Sequence, residues 1–248
     1  MRLLAVPMLL AMLMGTGVPA MASEKLYFYT ENYPPYNMSA TGRAFEHSAD
    51  QIDGLCTDLV EAMMANTSLD FVIKLRNWDY GYQRALNKPN HGVFCTAYND
   101  ERAGQFKWVG PLTTIAWTVF GKAGTDITLN SLDDAKGYSF GGYRNDIMTD
   151  FLKERGFKMS ELDSNDLNPR RLALGQIDLW LVDRLTGYYL ASQQDVEDIE
   201  ELYSFNETEL YLALNPDTPD EVVQTLEMAL EQVHQSGMFS AISDRYGL

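Results

Sequence analysis

The chain is 248 residues long, 46% hydrophobic and 22% charged, with 35 acidic side chains against 19 Lys and Arg and a formal charge of −16. That much apolar material builds packed cores and excludes intrinsic disorder. A surface this acidic, with no basic cluster to offset it, repels a phosphate backbone and excludes nucleic acid as a partner. The length allows one large domain or two modest ones.

The first residues have the order of a secretory signal peptide. Arg2 supplies a positive charge, an apolar run follows from Leu3 to Met14, then come Gly15, Gly17, Pro19 and the small-residue site Ala20-Met21-Ala22. Cleavage is expected after Ala22. The apolar run is too short to span a bilayer comfortably, and no cysteine follows the site for lipid attachment.

Lys25–Thr30 reads as a first strand, and Glu31–Asn37 (ENYPPYN) as a loop, since adjacent prolines bar both helix and central strand. From Gly54 to Ser68, Leu55, Leu59, Ala62 and Met63 recur on one helical face. Phe71–Leu75 is a strand, Asp79–Asn87 a helix and Gly92–Tyr98 a strand, an alternation that predicts a parallel, doubly wound sheet. The pattern then restarts, with strands at Ala116–Gly121 and Tyr138–Tyr143, a helix over Asp146–Arg155 and a short helix including Arg170–Leu174. Ile177–Val182 (IDLWLV) is a continuous apolar strand, as expected for one covered on both faces. Leu210–Leu214 is a last strand. Thr218-Pro219-Asp220-Glu221 predicts a capping box for a helix with an apolar stripe from Val222 to Val233, ended by Gly237. Crossings near Thr114–Thr118 and Glu209–Leu212 would make a two-strand hinge. The expected architecture is α/β, with two doubly wound lobes: 23–114 completed by 211–248, and 115–210 between them.

Ligands in open α/β sheets gather at the carboxyl ends of strands. Those ends present Glu31 and Tyr33, then Asn77 and Trp78, then Thr96, Tyr98, Glu101 and Arg102. In the second half they present Arg144, Asn145 and Asp146 before a helix, and Asp183. Arg102 offers a donor fork suited to a carboxylate. The helix starting near Asp146 offers backbone N–H groups to an anionic oxygen. Asp183 can accept from an ammonium group, and Tyr33 and Trp78 can sandwich a stem or stack on a cation. A carboxylate at one end and an ammonium at the other describe an amino acid. Arg144 either adds a second acid-binding group or lies on the surface.

The order and spacing of TENYPPYNM (Thr30–Met38), GLCTDLVEAM (Gly54–Met63), the Trp78 turn, NDERAGQFKWVGPL (Asn99–Leu112), QIDLWLVDRLTGYYL (Gln176–Leu190) and SGMFSAISDRYG (Ser236–Gly247) carry a resemblance. Over essentially the whole mature chain, the sequence resembles bacterial periplasmic solute-binding proteins of the polar amino-acid type. The resemblance implies the type II periplasmic-binding-protein fold and a periplasmic monomer without cofactor. It also implies a small polar ligand captured between closing lobes for a membrane transporter permease or a receptor. By position, Arg102 matches the family's carboxylate-gripping arginine, Tyr33 and Trp78 its ligand-packing aromatics, and Asp183 its amine-binding aspartate. Two departures stand out: Ala97 replaces the usual Ser/Thr five residues before the arginine, with Thr96 and Tyr98 flanking it, and Tyr143-Arg144-Asn145-Asp146 replaces a run of small residues. The resemblance extends to a few periplasmic dehydratases of cyclohexadienyl acids, in which Arg102 with Arg144 would hold a diacid and Glu31 or Asp183 would act as general acid.

Bland readings stand beside these: Arg102 as a surface ion-pair partner, Asp183 as a strand-end cap, Trp78 and Trp180 as core, Asp195–Glu201 as a solvated face. Cys56 and Cys95, in an exported chain, either form a disulfide or are two small buried residues. Gly137–Gly141 spells G-x-S-x-G, but Ser139 falls within a predicted strand rather than at a strand-to-helix turn, so a nucleophile elbow is rejected. His47, His91 and His234 lack zinc-ligand spacing.

Overall fold

The computed structural model describes residues 25–144, 146–163 and 165–246. The expected signal peptide and Asn145 lie outside them. The first half contains β1 (Leu26–Thr30), the short strands β2 (Met38–Ser39) and β3 (Ile52–Asp53), α1 (Leu55–Ala65), β4 (Phe71–Leu75), α2 (Trp78–Asn87) and β5 (His91–Ala97). A 16-residue strand, β6 (Lys107–Lys122), leads into the second half. There β7 (Ser139–Tyr143), α3 (Ile147–Glu154), β8 (Lys158–Leu162), α4 (Asn168–Ala173), β9 (Leu179–Asp183) and α5 (Arg184–Ser192) follow in turn. A second 16-residue strand, β10 (Ile199–Leu214), returns the chain, which ends in α6 (Asp220–Gln235) and α7 (Met238–Tyr246).

The main strands form one sheet in the order β4-β1-β5-β10-β6-β9-β7-β8. It is not parallel throughout. The two outer groups, β4-β1-β5 and β9-β7-β8, are parallel, but β6 and β10 pair antiparallel with each other and with their neighbours β9 and β5. The reason is connectivity: β6 leaves the first lobe and β10 comes back, so the pair that crosses between lobes runs in opposite directions. In its register Thr114 lies opposite Glu209 and Thr118 opposite Ser204. The fold is α/β, two lobes joined by two strands.

Each lobe buries both faces of its part of the sheet. In the first, α1 and α6 cover Phe28, Ile73, Phe94 and Leu212, while α2 covers Val93 and Ala213 from the other side. In the second, β9 sends Leu179 and Leu181 into the cluster with Met148 and Leu152 of α3. Its Trp180 and Val182 enter the cluster with Leu172 of α4 and Ala191 of α5. A strand sandwiched in this way has no polar face, which explains its unbroken apolar run. Trp180 is core, fully buried, with its indole N–H donated to Asn165 Oδ1 at 2.9 Å.

The capping box expected at Thr218 does not form. The helix α6 begins after Pro219 without a side-chain cap. The turn at Asn215, whose carbonyl accepts from Thr218 N at 3.0 Å, draws the threonine inward. There its hydroxyl is buried without a partner, and its carbonyl takes Lys107 Nζ at 2.7 Å.

Cys56 and Cys95 form a disulfide, with Cα atoms 6.0 Å apart, joining α1 to β5. The adjacent Gly54 holds φ at 123°, and a Cβ there would lie 2.4 Å from the Tyr36 carbonyl oxygen. This close approach lets Leu55 N and Cys56 N donate to Pro35 O and Tyr36 O at 3.0 and 2.9 Å, fastening the proline loop to the helix end.

Candidate functional site

The strand ends converge on two chemically different groups. The first belongs to lobe 1. Asn77 caps α2 by accepting from Tyr80 N at 3.0 Å, which sets Trp78 as the first helical residue and Tyr82 one turn later. The Arg102 guanidinium lies 5.4 Å from the ring centroids of both Trp78 and Tyr82 and donates to Ala97 O at 3.3 Å. Among the described residues no acidic side chain forms a salt bridge with Arg102. Trp78 serves two neighbours: it packs against the small cluster around Val93 and Phe106, and it carries the arginine.

The second group joins the two lobes. Tyr33 follows β1 and stacks on Tyr36, with ring centroids 5.6 Å apart and planes 11° from parallel. The Tyr36 hydroxyl crosses to lobe 2 and donates to Asp183 Oδ1 at 2.8 Å. Asp183 is also the N-cap of α5. Its Oδ1 accepts from Leu185 N and Thr186 N, both at 3.1 Å, and from Thr186 Oγ1 at 3.3 Å, while among the described residues Oδ2 accepts only from Ala116 N, at 3.3 Å. The strand-end cap is thus real, and it occupies one oxygen more heavily than the other. Burial raises the Asp183 pKa, partly offset by the Tyr36, Thr186 and Ala116 donors. Burial, with the Asp183 charge second, pushes the Tyr33 phenol well above its ordinary value, and the nearby Tyr143 and Asp146 act in the same direction. Burial and then Asp79 raise Glu31 to about 7. Glu31 in turn contributes to the raised pKa of Tyr143, after burial and Asp146.

Other candidates stand elsewhere. Arg144 is exposed and paired with Asp163. In the parallel register Tyr143 faces Leu162, so the residues that follow them emerge side by side. Thr96 is buried and donates to Val93 O at 3.0 Å, and Tyr98 is exposed against Trp108 and Tyr211. Just before them, Cys95 takes a φ of 60°, and the pairing of β5 with β10 shifts register in the same stretch. Such a bulge upsets the strict alternation on which the sequence assignment of these two side chains depends. Asp146 remains near Tyr33, but the start of α3 is not an open anion seat. Its own Asp146 accepts from Thr149 N and Thr149 Oγ1 at 2.8 Å each, and burial raises its pKa. A groove of about 840 Å³ runs along β6 residues 110–114 beside α6 and α7 and is lined by none of these groups, so volume alone does not mark the site.

Sequence reading missed Tyr36, Thr186 and Tyr82. Two of them had a local signal: Thr186 lies three residues after Asp183, the spacing of an N-cap contact, and Tyr82 lies one turn after Trp78. The Tyr36 contact spans 147 residues and had none.

No family model matches the chain. It is similar to the L-cystine-binding protein TcyJ of Escherichia coli K12, with 21% identity over 218 residues that cover 86% of this chain and 79% of that protein. Among solved structures it is similar to a histidine kinase sensor domain that resembles periplasmic binding proteins (17% identity, TM-score 0.70, 90% of this chain and 96% of that one). It is also similar to the arginine-, lysine-, histidine-binding protein ArtJ of Geobacillus stearothermophilus (18% identity, TM-score 0.67, 90% and 95%). The chain has the two-lobed type II periplasmic-binding-protein fold and is similar to amino-acid solute-binding proteins built on it.

Proposed function

We propose that this protein is an exported, monomeric solute-binding protein that closes its lobes on an amino acid or a related zwitterion, the signal peptide being removed after Ala22. The lobes divide at 114/115 and 210/211. Arg102, resting on Trp78 and Tyr82, takes the ligand carboxylate. Asp183, through its less occupied Oδ2, takes the ammonium, with Tyr33, Tyr143 and Asp146 around it. The observation that carries this reading is the Arg102 guanidinium lying over the Trp78 and Tyr82 rings of one lobe with no acidic partner among the described residues, while the other lobe presents the buried Asp183 carboxylate at a strand end. A ligand that bridges both lobes only when they are shut shifts the population toward closure. Presentation to a transporter permease or a membrane receptor then follows, in the periplasm.

A thermal-shift screen of the mature protein against amino acids, dicarboxylates, opines and small aromatic acids tests this. A ligand of the folded state alone raises the melting temperature with the logarithm of its saturation. The expected result is a shift confined to one zwitterionic class and abolished in Arg102→Ala. An equal shift in that variant would remove Arg102 from the site.

One observation favours a second reading. Glu31, half-buried near Tyr143 with its pKa raised to about 7, has the proton affinity of a general acid at neutral pH. A dehydratase of a small carboxylic acid would show steady turnover by the purified protein, whereas a binding protein shows stoichiometric uptake and no product.

A further inference from the structure

The contacts that join the lobes are made by the chain itself. Besides the Tyr36–Asp183 hydrogen bond, Thr186 Oγ1 donates to Pro34 O at 3.1 Å and Tyr189 OH reaches Met38 Sδ at 3.5 Å. All of them join the 34–38 segment of lobe 1 to the β9–α5 corner of lobe 2. Leu185, the second residue of α5, goes further: it is 6% exposed and packs into the core cluster of lobe 1 with Tyr36, Leu55 and Cys56. A core residue of one lobe is thus supplied by the other.

Neither side can follow its partner when the lobes separate. Tyr36 is tied to lobe 1 through its backbone bond to Cys56 N, and Cys56 is bridged to Cys95 of β5. Asp183 is tied to lobe 2, where it pairs with Trp117 of β6 and caps α5. An opening that separates these two segments breaks the Tyr36–Asp183 bond and brings Leu185 into water.

We propose that Tyr36 and Leu185 are closure residues, which hold lobe 2 against lobe 1 so that the protein populates its closed form before any solute is bound. This rests on the reading that the solute sits between the lobes, and it extends that reading by assigning part of the affinity to two side chains that act through closure. Apparent affinity scales with the fraction of molecules already competent to bind. A buried hydrogen bond to a carboxylate contributes about ten- to a hundredfold to such an equilibrium.

The test needs no solute. Protein stripped by unfolding, dialysis and refolding with the disulfide intact would be measured by small-angle X-ray scattering. Wild type would be compared with Tyr36→Phe, which keeps the ring stacked on Tyr33, with Leu185→Ala, and with the double variant. Circular dichroism would check that each is folded. Stripped wild type should scatter as the closed form, the single variants should show larger radii of gyration, and the double variant should be open. An open stripped wild type would overturn the proposal, and so would folded variants all as compact as wild type. A failed solute screen would count against the solute reading and leave these scattering outcomes untouched.

Discussion

Replacing Asp183 by asparagine separates its two roles. The carboxylate accepts from the Tyr36 hydroxyl, two amides at the start of α5, the Thr186 hydroxyl and Ala116 N, all in a fully buried position. Alanine would remove every acceptor at once. Loss of the N-cap costs about 1 kcal/mol, and leaving the buried Tyr36 hydroxyl and Ala116 N–H unpaired adds about 1–3 kcal/mol each. The sum, roughly 3–7 kcal/mol, is a large share of a typical stability of about 5–15 kcal/mol, so an alanine variant that fails to bind proves nothing about the ligand. Asparagine keeps a carbonyl oxygen where the cap and Tyr36 need one, and removes the charge together with the single long acceptor contact that Oδ2 makes with Ala116 N. Its melting temperature should stay within a few degrees of wild type, because about 1 kcal/mol moves a protein of this size by about 2–4 °C. Its affinity should fall much further, since losing one partner of a buried charge pair costs about 2–5 kcal/mol, or from about thirtyfold upward. Calorimetric titration of both proteins with the solute found by the screen makes the comparison. An asparagine variant that binds within about threefold of wild type would make Asp183 a cap alone and refute the amine assignment.

Other outcomes follow from the same geometry. Burial lifts Glu31 from its ordinary 4.5 to about 7, so its proton is held more tightly in the folded chain. The stability this represents is fully present below about pH 4.5 and is lost as the pH rises through about 7, on the order of 3 kcal/mol as an upper bound. Glu31→Gln should therefore melt above wild type at pH 7.5, with the gap vanishing near pH 4.5, and superimposable melting curves across that range would contradict it. The Cys56–Cys95 bridge closes a chain separation of 39 residues, worth about 4 kcal/mol in a loop-entropy model. The double serine variant should lose about that much in urea unfolding, and an unchanged midpoint would count against the bridge as a stabilising link. Gly54→Ala, with a left-handed φ and a Cβ directed at Tyr36 O, should cost about 2 kcal/mol or more. It should also weaken solute binding by displacing the proline loop, and a variant that melts like wild type would mean that the backbone there relaxes freely.

How much of this was legible depended on whether a feature was local. The strands β1, β4, β5 and β9 and the helices α1 and α6 announce themselves by period, because their apolar residues face a core on one side or on both. By contrast, β8 was not read. Its KMSEL is an edge strand, exposed to half-buried throughout, and therefore has no alternation to detect. The helix α5 was hidden by economy, since Asp183 is at once the last residue of β9 and the cap of the next helix, with no loop between them. The early part of β10 looked like a solvated acidic run. Asp195, Glu197 and Asp198 are indeed exposed, but from Ile199 onward the chain joins β6, and Glu201 pairs with Arg184.

The site divides along the same line. Arg102, Trp78, Tyr33 and Asp183 of the proposed site are candidates because they stand at strand ends, a rule of topology that needs no knowledge of how the lobes meet. Arg144 is a candidate by the same rule, but position after a strand fixes where a backbone emerges and not where a long side chain turns, and its partner is Asp163 of the neighbouring strand end. Tyr36 could not be found because its partner is set by closure. Yet the local devices that make closure specific are each visible once located. Gly54 admits the Tyr36 carbonyl, the disulfide anchors the helix that holds it, and α5 aims Asp183 and Leu185 from the other side. Each half is fixed within its own lobe before the two meet. Closing therefore orders few side chains, and less of the binding energy is spent on immobilising them. On this account variants at Gly54 or Cys56 should change solute affinity together with the scattering of the unliganded protein, whereas Arg102→Ala should change affinity alone.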